Sequence, residues 1–280
     1  MPDAGVDVSQ APVALLNGAD ADADPGALRA LAQVNYGHTT AMPVRGLAVQ
    51  GLDLHLARLR QGNAELFDAG LDEGALRGWM ASAARAAGGD CTMRVTVFAR
   101  DFDHRQPLRE VALDVLVVAS APQPPRTRPL RVAICDFLRP VPHLKHVGTF
   151  PLFHHRRQAL KAGHDDALFV DGRGADARIA EGTVWNIGFW DGHAVTWPQA
   201  PALRGTAERL LQAGLEAQGV AQERRPVTVA GLPAFRAAFS CNANAVQPIV
   251  AIDALEYAEA PGLMQMLADA GAHAPWDALD

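Results

Sequence analysis

Lysine is nearly missing from this chain. It occurs twice in 280 residues, at Lys145 and Lys161, although lysine and arginine together number 25. The arginine bias carries no functional signal, but any chemistry that needs a lysine amine has only two candidates. Cysteine is scarce as well. Cys91, Cys135 and Cys241 are odd in number, widely spaced and never in CxxC spacing. That excludes a disulfide framework and a cysteine zinc site, and it fits a reducing cytoplasm. No run of about 18 apolar residues occurs, so no membrane-spanning helix is expected. The start, MPDAGVDVSQAPVALLNG, lacks a basic stretch followed by an apolar one, which argues against a secretory signal. The net charge of -6 and the lack of a basic patch argue against a nucleic-acid surface. GxSxG and P-loop signatures are absent.

Two apparent motifs dissolve on inspection. Gly172, Gly174 and Ala177 give a GxGxxA pattern, but RIAEG follows it and reads as a strand. A dinucleotide loop needs a helix N-terminus there, so a plain turn is expected. His143, His146, His154 and His155 are dense, yet no carboxylate sits in HExxH spacing. Adjacent helical histidines point about 100° apart, so no metal site is expected.

What is present is a chain long enough for a large core and two lobes. Residues 1 to about 12 read as loose. Leu28 to Met42 and Leu47 to Gln50 read as strands, and Leu52 to Ala69 and Glu73 to Ala87 as amphipathic helices. Strands are expected at Thr92–Ala99 and Val111–Ala119. The segment PQPPRTRP is a linker, because proline pins the backbone and cannot donate to a ladder. Beyond it, strands are expected at Arg131–Asp136, Ala167–Val170, Arg178–Ala180, Ala237–Cys241 and Val246–Ile252. Helices are expected at Phe153–Ala162 and Thr206–Gln218, and a hairpin at Ile187–Trp197. The division is then 12–121 for an N-terminal lobe, 122–129 for the linker and 130–280 for a C-terminal lobe.

One ordered set of segments stands out: HLARLR, HLKHVGTF, RRQALKAGHDDALFVD, RIAEGTVWNIGFWDG, ALRGTAERLL and FSCNANAVQPIVAID. Each motif is loose, but their order and spacing together resemble the class IV aminotransferases, the fold-type IV pyridoxal-phosphate enzymes. These include branched-chain and D-amino-acid aminotransferases and aminodeoxychorismate lyases. The resemblance runs from about Val34 to Asp253.

It implies an α+β fold of two lobes, a sheet with helices first and a mixed barrel-like sheet second. It also implies a cytoplasmic homodimer that uses pyridoxal 5'-phosphate, with an amino acid and a 2-oxo acid as substrates. By the resemblance, Lys145 carries the cofactor as a Schiff base and shuttles a proton during catalysis. Glu181 pairs with the pyridine nitrogen, keeping the ring an electron sink. Arg58 grips the phosphate with its planar fork. Gly205, Thr206 and Ala207 open a helix toward the same phosphate. Leu203 packs on the ring, and Asn242 takes the place of a phosphate-capping Thr or Ser. Arg94, Thr39, Thr40 and Ala243 are the expected substrate contacts.

The family usually shows Gly-Ile-Thr where this chain has Gly-Thr-Ala, and Phe150 stands where branched-chain enzymes have a tyrosine. That tyrosine's hydrogen bond is then either lost or supplied elsewhere, by His146 or Thr149. The resemblance implies an aminotransferase. The alternatives are a lyase of the aminodeoxychorismate type and a homologue that binds the cofactor without turnover.

Overall fold

The computed structural model describes residues 11–280. Residues 1–10, most of the stretch read as loose, lie outside the described residues. The chain is α+β and forms two compact units. The first holds the described residues up to Pro124, together with Leu144–Gly148 and Trp276–Asp280; the second holds Pro125–His143 and Thr149–Pro275.

The first unit contains β1 (Val13–Leu16), β2 (Ala19–Asp20), α1 (Pro25–Gln33), β3 (Gly37–Val44), β4 (Ala48–Gln50), α2 (Leu52–Phe67), α3 (Glu73–Ala86), β5 (Cys91–Phe98) and β6 (Asp114–Ser120). Its main sheet has the order β2-β1-β6-β5-β3 and is antiparallel throughout. Alternation along β3 and β5 turns Met42, Val44, Met93, Val95 and Val97 into a core with Leu56 and Leu59 of α2 and Leu76 and Met80 of α3. Pleating fixes the opposite face just as firmly: Thr39 lies across from Thr96, and Ala41 across from Arg94.

Leu28–Gln33 belongs to a helix and not to a strand. Asp24 caps that helix by accepting from the Ala27 amide, and Pro25 takes the first turn. Good helix formers in GALRALAQ continue it.

The second unit contains β7 (Leu130–Asp136), α4 (Phe150–Lys161), β8 (Asp166–Asp171), β9 (Arg178–Gly182), β10 (Asn186–Trp190), β11 (Ala194–Pro198), α5 (Thr206–Ala217), β12 (Ala221–Arg225), β13 (Ala237–Asn242), β14 (Ala245–Ile252), β15 (Leu255–Glu256) and α6 (Pro261–His273). Its mixed sheet runs β12-β11-β10-β13-β14-β7-β8-β9, with β15 on β14. The pairs β7/β8, β7/β14 and β11/β12 are parallel. Parallel neighbours need crossovers, which α4 and α5 supply.

The last strand, β16 (Trp276–Ala278), returns to the first unit and pairs with β4. Among the described residues, no helix is long and apolar enough to cross a membrane.

Candidate active site

Lys145 sits in a short segment stitched to the edge of β3. The Thr39 amide donates to the Lys145 carbonyl at 2.8 Å, and the Val147 amide donates to the Gly37 carbonyl at 3.0 Å. These two bonds flank a bridge between His38 and His146. Lys145 is half-buried, whereas Lys161 is exposed at the end of α4.

α2 lies along β3 and meets it through two buried histidine pairs. His38 Nε2 donates to Asn63 Oδ1 at 2.8 Å, and His55 Nδ1 lies 2.6 Å from Thr40 Oγ1. A Cβ at Gly62 would strike the His38 ring, so that approach requires glycine. Burial holds both imidazoles neutral, His38 at about 4 and His55 at about 3. The charges of Arg58 and Lys145 push His55 down further, so guanidinium and amine both bear on this one ring.

Arg58 is half-buried and donates to Thr40 Oγ1 at a long 3.4 Å. Thr39 and Thr40 therefore do not line one surface. Successive strand residues face opposite ways, and Thr40 belongs to the α2 side. Thr39 donates its hydroxyl to the Val95 carbonyl at 2.7 Å. Arg94 is exposed on the Thr39 face.

In the second unit, Glu181 is buried at 3 % exposure near the end of β9. Arg139, itself buried, donates Nε to Glu181 Oε1 at 3.0 Å and Nη2 to Oε2 at 3.5 Å. The Leu203 amide donates to Oε2 at 3.3 Å. The carboxylate is thus fixed by a buried guanidinium and a backbone amide.

The turn after it is bolted to β8. Asp166 accepts from Thr183 Oγ1 at 2.7 Å and from Trp185 Nε1 at 3.0 Å. Gly182 leaves room for the Trp185 indole, which a Cβ would hit. DDALFVD and EGTVWN are therefore two halves of one local structure.

Asn186, at the end of that turn, clamps the next loop. Its Nδ2 donates to the Leu203 carbonyl at 2.6 Å, and its Oδ1 accepts from the Gly205 amide at 3.1 Å. Gly205 caps α5 without a side-chain hydrogen bond, and the buried Thr206 Oγ1 has no partner in the chain. Such a helix end offers its amides and its dipole to an anion. Ala207 is half-buried in the same turn.

Asn242 accepts from the Asn244 and Ala245 amides at 2.9 and 3.1 Å, so its oxygen is committed to the turn that holds Ala243. Its amide nitrogen is the group left for capping. Phe150 opens α4 with 76 % exposure, away from any buried polar partner. Among the described residues no cluster suited to a metal ion occurs.

Sequence reasoning missed three residues here. Arg139 lies in no motif, His55 is one polar residue in HLARLR, and Asn186 is the last residue of EGTVWN.

The first unit thus holds an amine and a guanidinium close to β3, and the second a fixed buried carboxylate and an open helix N-terminus. The model of the family "Amino-transferase class IV" matches residues 37–252, and the chain belongs to this family of pyridoxal-phosphate enzymes. No protein among the curated sequences matches it.

Solved structures share the fold. A branched-chain aminotransferase from Thermoproteus uzoniensis with norvaline is 18% identical, with a TM-score of 0.78 and 92% of each chain covered. A hypothetical aminotransferase from Mycobacterium tuberculosis in PLP-bound form is 20% identical, with a TM-score of 0.73, covering 86% of this chain and 89% of that one. A putative 4-amino-4-deoxychorismate lyase from Legionella pneumophila is 16% identical, with a TM-score of 0.71, covering 84% and 90%.

The residues present fit the cofactor. The unpartnered Thr206 hydroxyl and the uncapped α5 suit a phosphate, and the Arg139-held carboxylate suits a protonated pyridine.

Proposed function

We propose that the chain is an aminotransferase that moves an amino group from an amino acid to a 2-oxo acid, with Lys145 holding the cofactor aldehyde. The observation that carries this reading is that neighbouring residues of β3 hold both groups: the Thr39 amide donates to the Lys145 carbonyl at 2.8 Å, and Arg58 donates to Thr40 Oγ1 at 3.4 Å. A phosphorylated aldehyde needs an amine and a guanidinium together.

When bound, pyridoxal phosphate supplies an aldehyde and an electron-withdrawing ring. The chain's own groups do the rest. Lys145 Nζ carries the proton taken from the substrate Cα. Glu181, locked by Arg139, would keep the pyridine nitrogen of the bound group protonated. Arg58, the N-terminus of α5 and the Asn242 amide are the groups that would bind its phosphate, and Leu203 the one that would pack on its ring. Arg94, Thr39 and Ala243 remain the proposed substrate contacts; Thr40 is reassigned to Arg58.

The reading includes a cytoplasmic homodimer. Three free cysteines support the compartment, and the exposed Phe150, Phe153 and Leu160 on one face of α4 support a second copy.

The test is the visible spectrum of the protein with pyridoxal phosphate, before and after borohydride, beside Lys145→Ala. The expected result is a yellow chromophore that reduction fixes to the wild type and that the variant lacks. An amino donor should then convert the cofactor to its amine form. A colourless wild type would overturn the reading. Pyruvate release without that conversion would move it to the lyases.

A further inference from the structure

The α2–β3 contact contains a polar chain of three groups: His55 Nδ1, Thr40 Oγ1 and Arg58 Nη1. The separations are 2.6 Å and 3.4 Å. Proton inventory gives this chain one direction. Arg58 has only donors, so Thr40 Oγ1 must accept from it. The single hydroxyl proton is then free to go to His55 Nδ1, which accepts because burial keeps the ring neutral. Thr40 is fully buried and His55 is 3 % exposed, so neither can turn to water instead. His55 and Arg58 are three residues apart, on adjacent rows of one helix face. The second histidine pair, His38 with Asn63, fixes the next turns of the same helix on the same strand.

We propose that Thr40 and His55 are positioning residues that aim the Arg58 guanidinium and thereby set the chain's preference for phosphorylated over unphosphorylated pyridoxal. This rests on the reading of Arg58 as the phosphate-gripping arginine. An arginine side chain that is already oriented loses less freedom on meeting its anion, and that saving appears as affinity. The amine of Lys145 treats both aldehydes alike, so the ratio of the two affinities isolates the phosphate end.

The experiment is an absorbance titration of the cofactor-free protein with pyridoxal phosphate and with pyridoxal, giving a ratio of dissociation constants for each variant. Arg58→Ala should abolish most of the preference. Thr40→Val, which keeps the shape and removes the hydroxyl, should lower it roughly tenfold, the size of one lost hydrogen bond at a charged group. Thr40→Ser should keep it. His55→Leu should lower it, while His55→Asn should retain most of it, because Asn Oδ1 sits on Cγ where Nδ1 does.

The unfolding midpoint of each cofactor-free variant separates aim from stability, since a purely structural loss weakens both ligands together. Should Thr40→Val not fold, the His55→Leu and His55→Asn pair carries the test. A ratio unchanged in Thr40→Val and His55→Leu but lost in Arg58→Ala would overturn this inference alone. A ratio unchanged in Arg58→Ala would overturn the phosphate reading beneath it.

Discussion

A carboxylic acid whose titration is moved up toward neutral pH sits in the first turn of α5. Glu208 is 1 % exposed, and burial pushes it up to about 7 against the pull of Arg204, Arg224 and Arg209. Arg204 pairs with it, Gln212 donates to Oε1, and Oε2 has no partner in the chain. The buried Cys241 thiol is pushed well up by the same burial and by this carboxylate. A raised carboxylate favours the folded state at low pH, because the native chain binds the extra proton. Its contribution is complete below the unfolded value of 4.5 and lost as pH rises through about 7. Glu208→Gln cannot ionise, so its stability relative to the wild type should rise between pH 5 and pH 8, by up to about 3 kcal/mol. Urea unfolding at several pH values reads this directly, and a flat difference would mean that Glu208 ionises without cost. The motif set led to Lys145, Glu181 and Arg58 by residue type and order. It could not lead to Thr40 as a partner of His55, because that pairing depends on which face of β3 meets α2.

At the scale of elements, the loop from Leu203 to Gly205 is shaped by its neighbour across the sheet. Asn186 on β10 holds both ends of it, and Gly205 leaves space for that amide. Gly205→Ala should drive the new methyl into Asn186 Oδ1 and break one or both bonds. We expect a stability loss of about 1–3 kcal/mol by denaturant unfolding, with weaker uptake of pyridoxal phosphate. Full stability in the variant would show that the loop does not need the clamp.

Most strands of both units are legible from apolar runs and turn residues. α1 was not, because AQVNYGHTTAM blurs the point where a capped helix gives way to a strand. β12, with AQERR exposed along an edge, carries no apolar pattern at all. α6 was also missed, since PGLMQMLADAGAH follows no strand–helix alternation that would announce it.

For the molecule as a whole, the chain order does not map onto the two units. Leu144–Gly148 and Trp276–Asp280 belong with the N-terminal residues. The final return is well anchored. Leu279 is 1 % exposed in the first unit's core, and its amide donates to the Leu47 carbonyl at 3.0 Å. Arg77 Nη2 donates to the Ala278 carbonyl at 3.0 Å, and Arg85 pairs with Asp280. Leu279→Ala should therefore cost about 2–5 kcal/mol, as buried leucines do. A change below about 1 kcal/mol in denaturant unfolding would show the return to be ornamental. A three-residue strand reading Trp-Asp-Ala offers no alternation, and a register spanning 225 residues, as from Leu52 to Asp277, leaves no trace in local sequence.

That span has a consequence for synthesis. The ribosome delivers β4 early and its pairing partner β16 more than two hundred residues later. Until then the first unit has an unfilled place in its core, where Leu279 will go, and an unpaired strand beside it. Throughout translation of the second unit the first unit stays incomplete, with an open strand edge and an unfilled apolar site exposed to whatever binds such surfaces.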